Sequence, residues 1–507
     1  MANWMSRFFS VPLLIVLLLQ GGCASWQQRS QQARFNEAYF VGDYEAAASA
    51  MAAADADGRP QVLQLLHQGE AFRLAGDFQQ AINLFDRAEA GMKHLDTQGV
   101  ISGVGRDLVS LLVNESSRDY RALMSEAILV NTYKALAFLA QANSDFARVE
   151  FNRADDRTRR AVDFFADDIR EQREALGKQG GGAANAARSL SNDETRSAVV
   201  RHYGDPAQWR VYPEYMVPVS TYLHGLYFLA NGGGPSELER AVTSLQRVSQ
   251  MVPDNAVLHR DAELAEALAA GRPRQELEPL VWVLYENGLG PVLEEVRFEI
   301  PLFVSGDHGS QLIITAIALP RYRDRAALPG ELVIEGSPDA AVETEALASM
   351  GQVIRTEVQA RFPGILMRAL ASAVIKGVMQ REAAESLGAL GQFGAILYTV
   401  STTQADLRSW QSLPDHWSVA RVARPEAGTL SLRDSQSGQL GEFPLPNWPF
   451  TLVYVKRPTA ATRATVTMLD LQGRHQALSY PMARGEGRLN TAAVADAPSG
   501  LDYSDLD

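Results

Sequence analysis

Side chains capable of catalysis are present in this sequence, but they do not fall into the patterns that catalysis needs. Eight histidines stand at positions 67, 95, 202, 224, 259, 308, 416 and 475, and no two have the four-residue helical step of a zinc hydrolase. No G-x-S-x-G elbow presents a serine nucleophile. The pairs Asp155-Asp156 and Asp167-Asp168 are adjacent on a helical stretch, so their carboxylates diverge and cannot share a proton. Beside Arg153, Arg157 and Arg160 they read as solvated charges. Gly177-Lys178 has no glycine five residues upstream, and Gln179 stands where a phosphate loop needs Ser or Thr. Gly288 to Val292 (GLGPV) is a loop entering a strand, whereas a dinucleotide fingerprint runs strand, loop, helix. Glu294 and Glu295 are carboxylates of the strand-rich half, with nothing in the sequence to poise them. The expectation is no catalytic residue, no metal site and no cofactor.

The bulk properties narrow the choice further. A chain of 507 residues is too long for one compact core and predicts about three domains' worth of structure. Hydrophobic residues at 46% and charged residues at 21% are ordinary globular values, against wholesale disorder. A net charge of −13 argues against a general nucleic-acid binder, which needs a basic surface to release counterions. The single cysteine, Cys23, excludes an intramolecular disulfide framework and any cysteine-based zinc site.

That cysteine has a distinctive neighbourhood. Arg7 precedes an apolar run from Phe8 to Leu19, and small residues follow at Gly21 and Gly22. The run is too short for a membrane span, which takes about 20 residues, and reads as the core of an export signal. LLLQGGCAS resembles the lipobox of bacterial lipoproteins, although Gln20 stands where that motif prefers leucine. The resemblance implies removal of residues 1–22, acylation of Cys23 by three chains including palmitate, and, with Ala24 following, passage to the outer membrane. Such chains would anchor the protein on the periplasmic face, each buried methylene contributing about 0.8 kcal/mol.

Stepping along the chain, VGDYEAAASAM and AGDFQQAINLF align with a step of 34 residues from Gly42 to Gly76, the tetratricopeptide period. In the second copy Leu65, Gly69, Phe72, Ala81, Phe85 and Ala88 occupy the signature positions. Gly69 and Ala81 let two helices approach, while Phe72 and Phe85 fill the space between them. A third copy spans Ile128 to Ala154, with Ala147, Phe151 and Ala154 in place. A fourth spans Thr221 to Asn255, its turn lengthened by NGGGP at Asn231 to Pro235.

Past residue 275 the period changes. Val296, Phe298 and Ile300 alternate with charged neighbours as a half-buried strand, and LIITAIAL (Leu312 to Leu319) is an apolar one. Val342 to Val400 reads as helix, broken at Phe362-Pro363-Gly364. Strands resume at Ser418–Val422, Thr429–Leu432, Thr451–Val455 and Ala464–Leu469. Within the helical stretch, glycines at 388, 391 and 394 and the apolar run 364–379 suit either a membrane-active or self-associating hairpin, or core helices covering a sheet; the second reading is preferred. The predicted fold is thus α + (α+β). Its parts are a signal peptide (1–22), a tetratricopeptide-like helical array (23–270) with a Gly-rich linker at about 177–190, a β-rich α+β domain (275–485) and an acidic disordered tail (486–507).

Asp119–Ala140, Ala147–Ala154, Tyr285–Glu295 and Ala405–Val422 are together similar to a poorly characterised family of bacterial envelope lipoproteins with tetratricopeptide-like repeats. The resemblance implies a periplasm-facing lipoprotein, some relatives of which accompany lipoproteins similar to activators of peptidoglycan synthases. In tetratricopeptide folds the first helix of each pair lines a concave groove that holds a peptide or helix. That geometry puts Asn36, Tyr39, His67, Glu70, Arg73, Thr132 and Tyr133 along a partner groove. Asp406, Arg408 and Trp410 form either a functional patch or, the preferred reading, a structural ion pair with a tryptophan plug. The leading expectation is a non-enzymatic outer-membrane scaffold that binds an envelope protein through the groove. The alternatives are an envelope enzyme acting on cell-wall glycan or peptide through the C-terminal domain, or an accessory of a secretion assembly.

Overall fold

The structure, a computed structural model, describes residues 30–52, 61–101, 120–177, 188–189, 191–306, 309–335, 341–402, 405–436 and 438–480. Cys23 and the lipobox, most of the Gly-rich linker and the acidic tail lie outside the described residues.

The architecture is mixed α and β, built in layers. Helices come first, mostly in hairpins: α1 (30–40) with α2 (Tyr44–Met51), α3 (Val62–Ala75) with α4 (Phe78–Ile101), and α5 (Met124–Ala140) with α6 (Ser144–Gly177). Helices α7 (Asp193–Tyr203), α8 (Pro218–Asn231), α9 (Pro235–Met251) and α10 (Ala256–Ala269) follow. The spacing of small and aromatic residues does what packing requires. A Cβ added at Gly69 would fall 2.7 Å from the Phe85 ring, and one at Gly225 would fall 2.7 Å from Leu245. Ala81, Phe85, Ala88, Ala147, Phe151 and Ala154 are all fully buried. Gly76 ends α3 at φ +85°, a conformation that suits a residue without a side chain.

The second layer is a six-stranded sheet in the order β12-β11-β10-β1-β7-β6. Its strands are β1 (Leu280–Asn287), β6 (Glu345–Ser349), β7 (His416–Ala423), β10 (Phe450–Arg457), β11 (Thr465–Asp470) and β12 (Leu478–Tyr480). β1 and β10 pair in parallel and the rest antiparallel. Alternation along the two central strands divides their side chains between two cores. Trp282, Leu284, Leu452 and Tyr454 face the helices, whereas Val281, Val283, Tyr285, Val453 and Val455 face a four-stranded sheet, β5-β4-β8-β9. That third layer is β4 (Leu332–Glu335), β5 (Val342–Glu343), β8 (Thr429–Asp434) and β9 (Gly438–Pro444). Burial on both faces explains why β1 and β10 read as continuous apolar runs.

An arm completes the molecule. β2 (Val292–Gly306) and β3 (Gly309–Arg323) form a hairpin of fifteen paired positions in unbroken register, bonded to no other strand among the described residues. Its apolar face, Phe298, Ile300, Leu302, Ile317 and Leu319, packs on Phe362, Leu366, Leu370 and Val374 of α11 (Met350–Thr402) and on Ala198 and Val199 of α7.

Two expectations are corrected. Residues 342–349 are strands, because β6 takes the free edge of β7, and helix begins only at Met350. The helix also does not break at Phe362-Pro363-Gly364 but runs 53 residues through Pro363. Contacts on both sides hold it: before the proline Phe362 stacks on Tyr203 at 4.7 Å and Gln359 Nε2 donates to the Pro206 carbonyl at 2.7 Å, and after it Leu366 and Leu370 pack in the arm's apolar cluster. One apolar cluster is shared by the helical and β-rich parts, running from Leu65 and Phe85 through Tyr133 and Tyr222 to Trp282, Trp417 and Leu452, beside a second that belongs to the two sheets.

Candidate functional site

Thr132 aside, the side chains expected to line a partner groove meet their own polypeptide, in segments of the β-rich half. Tyr39, on α1, donates its hydroxyl to the Ser412 carbonyl at 3.2 Å, and Asn36 Nδ2 donates to Gln411 Oε1 at 3.2 Å. His67, fully buried on α3, accepts the Gln411 N–H at Nε2 (3.3 Å) while its Nδ1 lies 2.8 Å from the Leu63 carbonyl. The partners assign the Nδ1–H tautomer. Burial, with Arg325 adding to it, lowers the imidazole to about 4, so it is neutral.

One turn further along α3, Glu70 and Arg73 enter a buried ion cluster. Arg73 donates to both Glu70 oxygens, at 2.8 and 2.9 Å, and to Glu286 Oε2 at 3.3 Å. Lys456 Nζ lies 2.5 Å from Glu70 Oε1 and 3.1 Å from Glu286 Oε2. Tyr133 Oη and Trp417 Nε1 donate to Glu286 Oε1 at 2.6 and 2.9 Å. The guanidinium of Arg73 also lies over the rings of Tyr133 and Tyr454, at 4.3 and 4.9 Å from their centroids. Two carboxylates thus face one guanidinium and one ammonium, and the cluster is neutral as a unit. Burial alone would raise the Glu286 carboxyl; Lys456 and Arg73, with hydrogen bonds from neighbouring tyrosines, instead hold it well below the usual range. Every charged member is buried, so the cluster presents no face to a substrate. Its physical effect is to pin α3 and α5 to β1, β7 and β10.

The remaining expected residues have structural partners too. Thr132 joins α5 to α8 through Ser220 at 2.6 Å, away from the groove. Asp406 and Arg408 form a two-bond ion pair at 2.6 and 2.8 Å, and Trp410 is buried 6.0 Å from Phe85 and 5.9 Å from Tyr133. Glu294 is held by Arg321 (2.6 Å) and Arg323 (3.2 Å), while Glu295 accepts the Ala405 N–H at 2.8 Å.

Three groups that sequence reasoning passed over repeat this design. Glu286 and Lys456 sit in register on neighbouring strands, each near the end of an otherwise apolar run. Those isolated opposite charges were the available signal. Asp261, fully buried on α10, accepts from Tyr222 Oη (2.6 Å) and Trp282 Nε1 (3.1 Å) and pairs with Arg421 (2.5 Å). Glu357, on α11, accepts the N–H groups of Met124 and Ser125 at the start of α5, where unsatisfied donors favour an anion. Beside it Glu126 accepts from Tyr120 Oη and the Leu123 N–H, yet burial carries its carboxyl up to about 7.

Among the described residues, two of the clefts are noteworthy. One of about 440 Å³, lined by Tyr203, Trp209, Arg210, Arg321, Tyr322 and Arg355, has Arg321 and Arg355 engaged by Glu294 and Asp324. The other, of about 470 Å³, lies between the start of α5 and the sides of α4 and α6, at Met92, Met124, Arg157 and Phe164. Among the described residues no three His, Cys, Asp or Glu side chains converge as metal ligands.

No family model, curated protein or solved structure matches the chain.

Proposed function

We propose that the chain is a non-enzymatic, lipid-anchored scaffold of the outer membrane, facing the periplasm, whose tetratricopeptide-like helices serve first as a clamp on their own β-rich half. The observation that carries this reading is the buried ionic cluster: the side chains that a peptide-binding groove would offer to a partner are spent on Glu286, Lys456, Gln411 and Ser412. An envelope partner would therefore meet the outer surface, where Phe146 and Val149 are 56% and 43% exposed, with Phe146 stacked on Phe138 at 5.2 Å. The proposed anchor is Cys23, and the motif around it is what supports that address.

The test is in-cell photocrosslinking from two positions. A photoreactive residue at Phe146 should capture an envelope protein, while one at Tyr39 should react only within the chain. Intermolecular capture from position 39 would restore the groove and contradict the clamp. Cys23→Ser should move the protein from the membrane to the soluble fraction, and retention in the pellet would contradict the anchor.

The arm favours a second reading, an accessory of an export assembly. A long hairpin backed by a 53-residue helix suits a projecting part that engages other subunits.

A further inference from the structure

The two edges of the arm hairpin are not alike. Pro301 on β2 and Pro320 on β3 both turn their carbonyls out of the ladder: Thr195 Oγ1 donates to the first at 2.8 Å and Tyr203 Oη to the second at 2.9 Å. In an antiparallel pair, inward and outward groups alternate along each strand. Counting back from Pro320 at two-residue steps, Ala318, Ala316 and Ile314 turn their own N–H and C=O groups to the outer edge of β3. Ile314 stands opposite Pro301 in the ladder, which gives the same assignment independently.

The outer edge of β2 is guarded. Pro301 has no N–H to offer a new strand, its carbonyl is already bonded to Thr195, and Arg297 and Glu299 flank it with charges. β3 has no such guard beyond its base at Pro320. From Gly309 to Leu319 it carries no charged residue, and Ile314 is 72% exposed, the most exposed large hydrophobic side chain among the described residues. Among the described residues, no backbone group outside the hairpin bonds the backbone of 312–319. A long, uncharged, unguarded edge strand is a template for pairing.

We propose that the outer edge of β3 pairs antiparallel with the same edge of a second copy of this chain, about a two-fold axis at Thr315. The edge fits itself: Ile314 of one copy opposes Ala316 of the other, so each hydrogen-bonds the other's backbone and a large side chain meets a small one on the same face. With its other edge guarded, the hairpin cannot add a third copy, and pairing closes at a four-stranded sheet across two molecules. This inference does not rest on the anchor, the envelope address or the closed groove.

Thr315 then faces its own counterpart as a non-hydrogen-bonded pair, with Cα atoms about 4.5 Å apart, within the about 4.4–6.8 Å span of a disulfide. The experiment uses the full chain in a Cys23→Ser background, so that the only thiol is the one introduced. Thr315→Cys should give a covalent dimer on mild oxidation, and Glu299→Cys, on the guarded strand, should give at least about tenfold less. Native mass should be twice that of the chain at about 100 μM, and Ile314→Lys should abolish both dimer and crosslink. Because position 314 is exposed, that variant should match the melting temperature of the wild type when both are diluted until the wild type is monomeric, which shows that folding is not what was lost. A monomer at that concentration overturns the proposal, as does crosslinking that survives Ile314→Lys. Comparable crosslinking at 299 or open-ended multimers would overturn the closed two-fold pair.

Discussion

Replacing Glu286 by glutamine would leave Lys456 and Arg73 facing Glu70 alone, with a buried positive charge in excess. Breaking a buried ion pair from one side costs about 3–5 kcal/mol, and Glu286→Gln should lower the unfolding free energy from denaturant titration by that order. Glu126 supplies a pH signature. Its carboxyl titrates at about 7 in the folded chain and at about 4.3 when unfolded. A raised pKa means that the folded state holds the proton more tightly. The resulting stability is complete below the unfolded value and is lost as pH rises through 7. Stability measured from pH 4 to 8 should therefore fall more steeply in the wild type than in Glu126→Gln, and parallel profiles would contradict the assignment. His67 acts with the opposite sign: lowered to about 4, it costs stability as pH falls from about 6.5. Comparing wild type with Glu126→Gln cancels that contribution. At this scale little was legible in advance. Repeat geometry puts Glu70, Arg73, Tyr39 and Tyr133 along a partner groove, but a sequence cannot say whether a face meets water or its own chain. For Glu70 and Arg73 the answer depended on Glu286 and Lys456, more than 200 residues away.

Individual helices and strands were far easier to read, because their signals are local. The 34-residue step and the Gly69–Phe85 contact depend on packing within one hairpin. Gly69→Ala would force a methyl to within 2.7 Å of Phe85 and should cost about 1–3 kcal/mol by overpacking, read as a lower melting temperature. Strands β7, β8, β10 and β11 appeared where alternation or apolar runs placed them. Pro363 misled, since breaker logic considers only the backbone, whereas Phe362, Leu366 and Leu370 hold α11 against the arm from both sides of the proline. Leu370→Ala should therefore loosen the arm selectively. Hydrogen exchange should speed up in β2 and β3 while β1 and β10 keep their protection, because the latter belong to a different apolar cluster. Uniform loss of protection would show that arm and body unfold together.

For the molecule as a whole, the central claim is that helices and sheet form one interlocked body, most side chains expected in a partner groove being bonded across to the β-rich half. On the proposed reading that closure makes the helices a clamp and would leave a partner the outer surface or the arm. The direct test is a double-mutant cycle between Glu70 on α3 and Lys456 on β10, which lie 2.5 Å apart across the closed face. Denaturant unfolding of Glu70→Gln, Lys456→Gln and the double variant should show a coupling energy of about 0.5–3 kcal/mol, as side chains in one network do. Additive effects, agreeing within about 0.3–0.5 kcal/mol, would mean that the two residues do not touch and that the groove stands open.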